Sequence, residues 1–283
     1  MTAGAFSAAE SSRRGGLAVG GVRFSYGETE ILREIKLQIA AGEFVCLLGP
    51  SGSGKTTLLR LLAGLEVPST GSLHWQGSPI SGPGIERGVV FQDYSLYPWL
   101  NLADNIGLAL EKSLPEMPRK GRRELAAAYL QMVGLAGTAK KYPFELSGGM
   151  QQRAAIARVL ALGSPVLLLD EPFGALDPVN RLRLQDLLLE IWRAEQPRKT
   201  VVFVTHDVEE ALFLGDRLVV LGSTPGRVIA DLEVPFERPR QRRQVFADGR
   251  YQRLRQQIDE LYRSDIQRRL AAEEQISSPA EGI

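Results

Sequence analysis

The chain is short of several things that would mark particular classes of protein. Of its 283 residues, one is cysteine and two are histidine. A lone cysteine, Cys46, forms no internal disulfide, which fits a reducing compartment. It lies in the apolar run "FVCLLG" and reads as a small buried hydrophobe. No stretch reaches the roughly 18 apolar residues that a membrane-spanning helix needs, so any membrane role is expected to come through a partner. The opening "MTAGAFSAAESSRRGG" has no apolar centre and does not read as a secretory signal; residues 1–16 are expected to form a mobile tail. The formal net charge is +1, which offers no field for nucleic acid or for a membrane surface, and no nucleic-acid partner is expected. There is no internal repeat and no low-complexity segment.

What is present is an ordinary globular composition, 44% apolar and 24% charged, enough for a sizeable core in one large domain or two small ones. "LAVGGVRFSYG" alternates as a strand does and ends in a turn. Ile35, Leu37 and Ile39 continue the alternation. "EFVCLLG" is a short apolar run, and Leu58, Leu61, Leu62 and Leu65 then show helical spacing. "GSLHWQG" and "RGVVFQ" read as further strands, with His74 a surface-strand residue. From 93 to 146 the texture becomes helical, in "NLADNIGLALEKSL" and "RRELAAAYLQMVGL", which reads as a helical insertion. "PVLLLDEP", "KTVVFVTHD" and "DRLVVLG" are strands, the last of them the final core strand. The helices "PVNRLRLQDLLLEIWRAE" and "VEEALFLG" separate them. Apolar strands alternating with helices predict an α/β fold with a mostly parallel sheet covered on both faces.

Beyond about residue 235 the chain turns basic, with ten arginines against five carboxylates between Glu237 and Leu270. Tyr251, Leu254, Ile258, Leu261 and Ile266 fall at helical spacing there. This C-terminal helix (236–270) has three open readings: packing on its own domain, contact with a partner or regulator, or contact with a membrane surface. Residues 271–283 read as a tail.

Two motifs carry chemistry. "GPSGSGKTT", residues Gly49, Pro50, Ser51, Gly52, Ser53, Gly54, Lys55, Thr56 and Thr57, matches the phosphate-loop pattern between a buried strand and a helix. Its glycines let several backbone N–H groups point inward, and the helix N-terminus favours an anion. Lys55 supplies a charge for β and γ phosphates, and Thr56 a hydroxyl for Mg²⁺. "VLLLDEP" ends a buried strand in two carboxylates. Asp170 is expected to hold Mg²⁺ through its water shell, and Glu171 to orient or deprotonate the attacking water. Tyr26 offers an aromatic face for adenine.

With these in place, "LSGGMQQR" (146–153) resembles the signature motif of ATP-binding cassette (ABC) ATPases. The other family elements follow in order: the phosphate loop, Gln92 after a strand, "DEP" at 170–172, "ALD" ending at Asp177, and His206 after a strand. The likeness covers about residues 17–235. It implies a RecA-like core, an antiparallel β subdomain near the N-terminus and the helical insertion. It also implies that two cassettes pair head to tail around two ATP and their Mg²⁺, so that Ser147, Gly148 and Gly149 cap the γ-phosphate held by the other subunit. By the same likeness Gln92 senses Mg²⁺ and the lytic water, His206 contacts the γ-phosphate, Asp177 works across the interface, and Gln152 and Arg153 support the signature helix.

The resemblance further implies a peripheral subunit on the cytoplasmic face of the membrane. It would drive two separate transmembrane permease subunits, served indirectly by a substrate-binding protein. Pro98, Trp99 and Leu100 followed by Asp104 and Asn105, with "PGRVIADLEVPFERPR", resemble the nitrate, sulfonate and taurine importers. Sulfonate or taurine is favoured over nitrate, and thiamine-precursor import stays open. The rival readings are an exporter cassette, a non-transport ABC ATPase of DNA repair or translation, and a regulatory module that has lost hydrolysis.

Overall fold

The computed structural model describes residues 16–277, with side-chain surroundings as far as residue 271. All but one residue of the expected N-terminal tail therefore lies outside the described residues. Strands β1 (Leu17–Tyr26) and β2 (Thr29–Ile39) form an antiparallel hairpin, and β3 (Phe44–Leu48) enters the second sheet. Helix α1 (Lys55–Ala63) follows, then β4 (Thr70–Trp75), the two-residue β5 (Ser78–Pro79) and β6 (Arg87–Val90). Helices α2 (Leu102–Ser113), α3 (Arg119–Met132) and α4 (Gly148–Leu162) lead to β7 (Val166–Asp170). The chain then alternates through α5 (Pro178–Ala194), β8 (Thr200–Thr205), α6 (Val208–Leu214), β9 (Arg217–Leu221) and β10 (Val228–Glu233). It ends in α7 (Arg242–Ala247) and α8 (Gly249–Ser277).

The larger sheet has the order β10-β9-β3-β8-β7-β6 and is parallel except for β10. The smaller is antiparallel, β2-β1-β4-β5. Successive side chains of a strand point to opposite faces, and the core divides accordingly. Phe44, Cys46, Leu48, Leu167, Leu169, Val201 and Phe203 face the helical side, among residues of α2, α4, α5 and α6. Val45, Leu47, Val166, Leu168, Val202 and Val204 face α1 and the antiparallel sheet. Both faces are covered, which is why β3, β7 and β8 are apolar at nearly every position. Cys46 is fully buried there, and burial pushes its thiol well above the ordinary range. His74 is half-buried on β4 opposite Ala18.

Three local expectations are corrected. The sheet does not end at β9, because β10 adds an antiparallel edge strand. Its residues are half-exposed or exposed throughout, so it has no buried alternation to read. Helix α8 also carries on past residue 270 to Ser277. On α8, finally, Tyr251 and Ile258 are buried, but Ile266 is 52% exposed and Asp265 takes the inward place. A stripe that starts at Tyr251 returns after fourteen residues, about four turns at 3.6 residues each, which reaches 265 rather than 266.

The arginines of the C-terminal extension fasten it to its own domain. Arg238 Nε donates to Asp216 Oδ1 at 2.7 Å, and its guanidinium lies 4.6 Å from the Trp192 ring centroid. Arg240 donates to the carbonyls of Phe213 (2.8 Å) and Gly215 (2.6 Å), at the end of α6. Arg242 donates to Gln185 Oε1 at 2.8 Å and pairs with Asp186. Of the three readings of the basic segment, packing on its own domain is the one these contacts support.

Candidate active site

Strand β3 ends at Leu48 and the glycine loop turns directly into α1, whose first residue is Lys55. The turn needs Gly52 and Gly54, at φ +80° and +85°, a left-handed region where a side chain is strained. At Gly54 space is also lacking, since a Cβ would lie 2.5 Å from Leu32 Cδ2. The first N–H groups of α1 have no partner within the helix and surround the cleft. Lys55 is buried, and its Nζ donates to the carbonyls of Gly49 (2.8 Å) and Pro50 (2.9 Å). Burial lowers the Lys55 pKa from its ordinary value, against the opposing pull of Glu171 and Asp170. Inside the loop the Ser53 hydroxyl is buried and has no partner.

Strand β7 delivers Asp170 to the same place. Thr56 Oγ1 donates to Asp170 Oδ1 at 3.0 Å. Burial raises the Asp170 pKa, and the Thr56 hydrogen bond offsets part of that rise. Glu171 stands at φ +44°, a conformation costly for a non-glycine residue and found where the surroundings enforce it. Its N–H donates to Val204 O at 3.1 Å, which anchors the bend to β8. The bend turns its carboxylate back over the cleft, with Oε2 3.2 Å from His206 Nδ1.

A cleft of about 490 Å³ is lined by Lys55, Thr56, Gln92, Glu171 and His206 together with the glycine loop. Five residues drawn from four separate stretches of sequence thus converge on one space. Anion-facing backbone, a lysine, a hydroxyl–carboxylate pair and a carboxylate–imidazole pair make up equipment for phosphoryl transfer. The Thr56 hydroxyl and the Asp170 carboxylate are hard oxygen donors, few in number, and that set suits Mg²⁺, which is bound through one or two protein oxygens plus phosphates.

Other expected residues lie elsewhere. Tyr26 does not line this cleft; it is 48% exposed, its ring is edge-on to Phe24 at 4.8 Å and its hydroxyl donates to Glu66 at 3.3 Å. Ser147, Gly148, Gly149 and Asp177 do not line it either. Ser147 is the exposed N-cap of α4, and its side chain makes no capping hydrogen bond. A Cβ on Gly148 would lie 2.8 Å from the Tyr94 hydroxyl, and one on Gly149 3.0 Å from Leu176 Cδ2. The signature motif therefore packs between the segment after Gln92 and the loop before Asp177. Asp177 caps α5, accepting from Asn180 N at 3.1 Å. Arg153 ties α4 to the end of α3, donating to Gly134 O at 3.2 Å, while Gln152 is buried with an unpartnered Nε2.

The structure adds residues that the motifs do not name. Ile31, on β2, lines the cleft. Tyr94 and Ser95 hold φ +65° and +48°, and Arg158 of α4 donates to Ser95 O, fixing that bend. Pairs like these arise from distant stretches, and no local sequence pattern announces them.

This geometry defines a P-loop nucleotide hydrolase with an extra helical layer. A family model described as "ABC transporter" matches residues 32–174. The nitrate import ATP-binding protein NrtD of Synechococcus elongatus is 47% identical over 234 residues, 82% of this chain and 85% of that one. The aliphatic sulfonates import ATP-binding protein SsuB 2 of Burkholderia lata is 49% identical over 218 residues, covering 77% of both chains. Among solved structures, a dimeric ATP-binding cassette, MJ0796, in a post-hydrolysis state with ADP and Pi matches with a TM-score of 0.70 at 33% identity, over 78% of this chain and all of that one. The chain belongs to the ABC transporter family, and its enzymatic class is that of the family's transport-coupled ATPases. Within the family it is similar to the import group whose members include NrtD and SsuB.

Proposed function

We propose that this chain is the ATP-hydrolysing subunit of an importer for a small oxygen-bearing anion, and that it works as a pair of copies on a separate permease. The observation that carries the reading is the division of the motifs. Lys55, Thr56, Gln92, Glu171 and His206 share a cleft, while Ser147–Gly149 and Asp177 are not among the residues that line it. A motif with an uncommitted hydroxyl at an exposed helix N-terminus fits a phosphate on another copy. Two copies placed head to tail complete two sites.

In the mechanism, the loop amides and Lys55 hold the β and γ phosphates of ATP, and Ser147, Gly148 and Gly149 of the second copy close over the γ-phosphate. Thr56, Asp170 and Gln92 would hold Mg²⁺, which would supply positive charge to neutralise the phosphates. Glu171 accepts a proton from the water that attacks the γ-phosphorus, and His206 holds the Glu171 carboxylate and the γ-phosphate in register. ADP leaves, phosphate is released, and the pair loses the contacts that closed it. Among the described residues no helix is long and apolar enough to cross a membrane. In this reading the permease is a separate pair of subunits. A groove of about 380 Å³ beside α2 and α3, near the exposed Trp99, offers it a docking place on the cytoplasmic face.

The solute class rests on the relatives. Those most like this chain include proteins named for nitrate, aliphatic sulfonates and, in CmpD of Synechococcus elongatus, bicarbonate. The test is growth of a deletion strain on an alkanesulfonate or taurine as sulfur source, on nitrate as nitrogen source and on limiting bicarbonate, with sulfate, ammonium and high CO₂ as controls. A defect on one anion, rescued by the wild type and not by Lys55→Ala, supports the reading and names the solute. Full growth on all of them, with ATPase activity intact in vitro, removes the importer assignment.

A further inference from the structure

The turn between β9 and β10 touches three other parts of the chain. On one side it lies against the phosphate loop. Thr224 Oγ1 donates to the Gly52 carbonyl, and a Cβ on Gly226 would fall 2.1 Å from the Ser53 carbonyl. On another it meets β2, where Arg33 N donates to Gly226 O at 2.8 Å. On the third it is held by α8. Asp265, buried, accepts from Ser223 N at 2.7 Å and from Arg227 Nη2 at 3.1 Å.

Between the turn and α8 lies a cavity of about 240 Å³. Arg33, Arg227, Arg268 and Arg269 line it, with the polar residues Ser223 and Thr224. Among the described residues Asp265 is the one carboxylate of the wall, and both its oxygens are taken by Ser223 and Arg227. Glu30 lies behind, accepting from Arg33 Nε at 2.7 Å. Leaving Arg269 aside, the two acids orient Arg227 and Arg33, and Arg268 adds a third guanidinium, so these three exceed the two acids by one positive charge. A concave wall of one sign concentrates counter-ions, and guanidiniums match the paired oxygens of a phosphate. Carboxylates that fix the arginines beforehand lower the cost of ordering them on a ligand.

We infer that this cavity is a second oxoanion site, separate from the phosphate loop, that binds a phosphate group through Arg33, Arg227 and Arg268. The phosphate is either free or carried on a small molecule. An anion there ties α8 to the turn, and the turn bears on Gly52 and Ser53, so its occupancy shifts the affinity of the phosphate loop for nucleotide.

The test is calorimetric titration of the full chain with sodium phosphate. MgADP is kept saturating at the phosphate loop, and sodium chloride of equal ionic strength is the blank. Phosphate is expected to bind above the chloride blank. Arg268→Glu, a change at an exposed position, is expected to weaken it at least tenfold, and Arg33→Ala several-fold. Equal affinity in Arg268→Glu, or heat no greater than that of chloride, overturns the site. If Arg33→Ala does not fold, Arg268→Glu decides the matter by itself. A parallel titration with AMP separates the sources: tighter binding than phosphate points to a nucleotide, equal binding to the free ion. A twofold or larger change in MgADP affinity on adding phosphate is expected in the wild type and not in Arg268→Glu. Its absence from the wild type overturns the coupling.

Discussion

His206 Nδ1 stands 3.2 Å from Glu171 Oε2 across the ends of two neighbouring strands. The sheet makes this meeting. Strands β7 and β8 run parallel with Asp170 opposite Val204, so Glu171, one residue past its register position, and His206, two past, emerge at the same edge. The left-handed bend at Glu171 then aims its carboxylate back over the cleft. Both lie at the carboxyl ends of parallel strands, where ligands of open α/β sheets bind.

Glu171→Gln keeps the shape and removes the base. Turnover should fall about 10²- to 10⁴-fold, the range for loss of a positioned general base, with nucleotide affinity changed only a few-fold. Phosphate release and fluorescent-nucleotide titration measure the two. The variant should also collect as an ATP-dependent dimer on a sizing column. Turnover at the wild-type rate would remove Glu171 from the chemistry.

Ser147→Arg places bulk and charge on the exposed cap of α4, away from the cleft of its own chain. Nucleotide should bind the single chain as in the wild type, while ATPase activity falls at least about 10²-fold, the scale for losing one preorganised phosphate-stabilising contact. Loss of nucleotide binding by the monomer would refute the cross-subunit role.

At Gly226 the limit is space, since an added Cβ would meet the Ser53 carbonyl at 2.1 Å. Backbone cannot give way as a flexible side chain can. Gly226→Ala should therefore displace the phosphate loop and weaken nucleotide binding about tenfold, the equivalent of ~1.4 kcal/mol. Unchanged affinity would show that the turn and the loop are not mechanically linked.

Arg240 supplies donors to the carbonyls of Phe213 and Gly215 from a nearly buried position, and burial pushes its pKa down to about 10. Arg240→Met keeps the stem but strands those carbonyls. A loss of about 2–4 kcal/mol is expected, from unsatisfied buried acceptors at ~1–3 kcal/mol each in part offset by not burying a charge. Urea unfolding measures it.

The docking of α8 should depend on acid. Burial works to raise the Asp265 pKa, but the Ser223 amide and Arg227 outweigh it and hold the carboxyl below its ordinary value of 3.8. A depressed carboxylate stabilises the fold fully above its unfolded pKa and progressively less as pH falls through the folded one. Hydrogen exchange over residues 258–271 should show protection at pH 5 that declines toward pH 3. Asp265→Asn should show weaker protection at pH 5 and a flatter profile.

The chemistry was legible because its parts are local. A glycine loop between a buried strand and a helix, a strand ending in Asp170 and Glu171, and the Ser-Gly-Gly opening of α4 are each set by a few neighbouring residues. Strands buried on both faces were legible for the same reason, since "VLLLD" and "TVVFVT" have no polar face to show. Less was readable where burial is partial. Strand β10 has no alternation, and the stripe of α8 drifts off Ile266 onto Asp265 because that carboxylate finds two donors from the β9–β10 turn.

The amino-acid sequence by itself determined which groups this protein can bring to a phosphate: a lysine, a hydroxyl, two carboxylates, an imidazole and two glycine-rich turns. Only the tertiary structure decided which of them share a space. Strand order sets Glu171 against His206, Ser147 at the start of α4 stays out of the cleft lining, and the β9–β10 turn presses Gly226 onto the phosphate loop. Residue types and spacings are properties of short segments, whereas these meetings depend on non-local strand pairing and close packing, which the whole chain settles together.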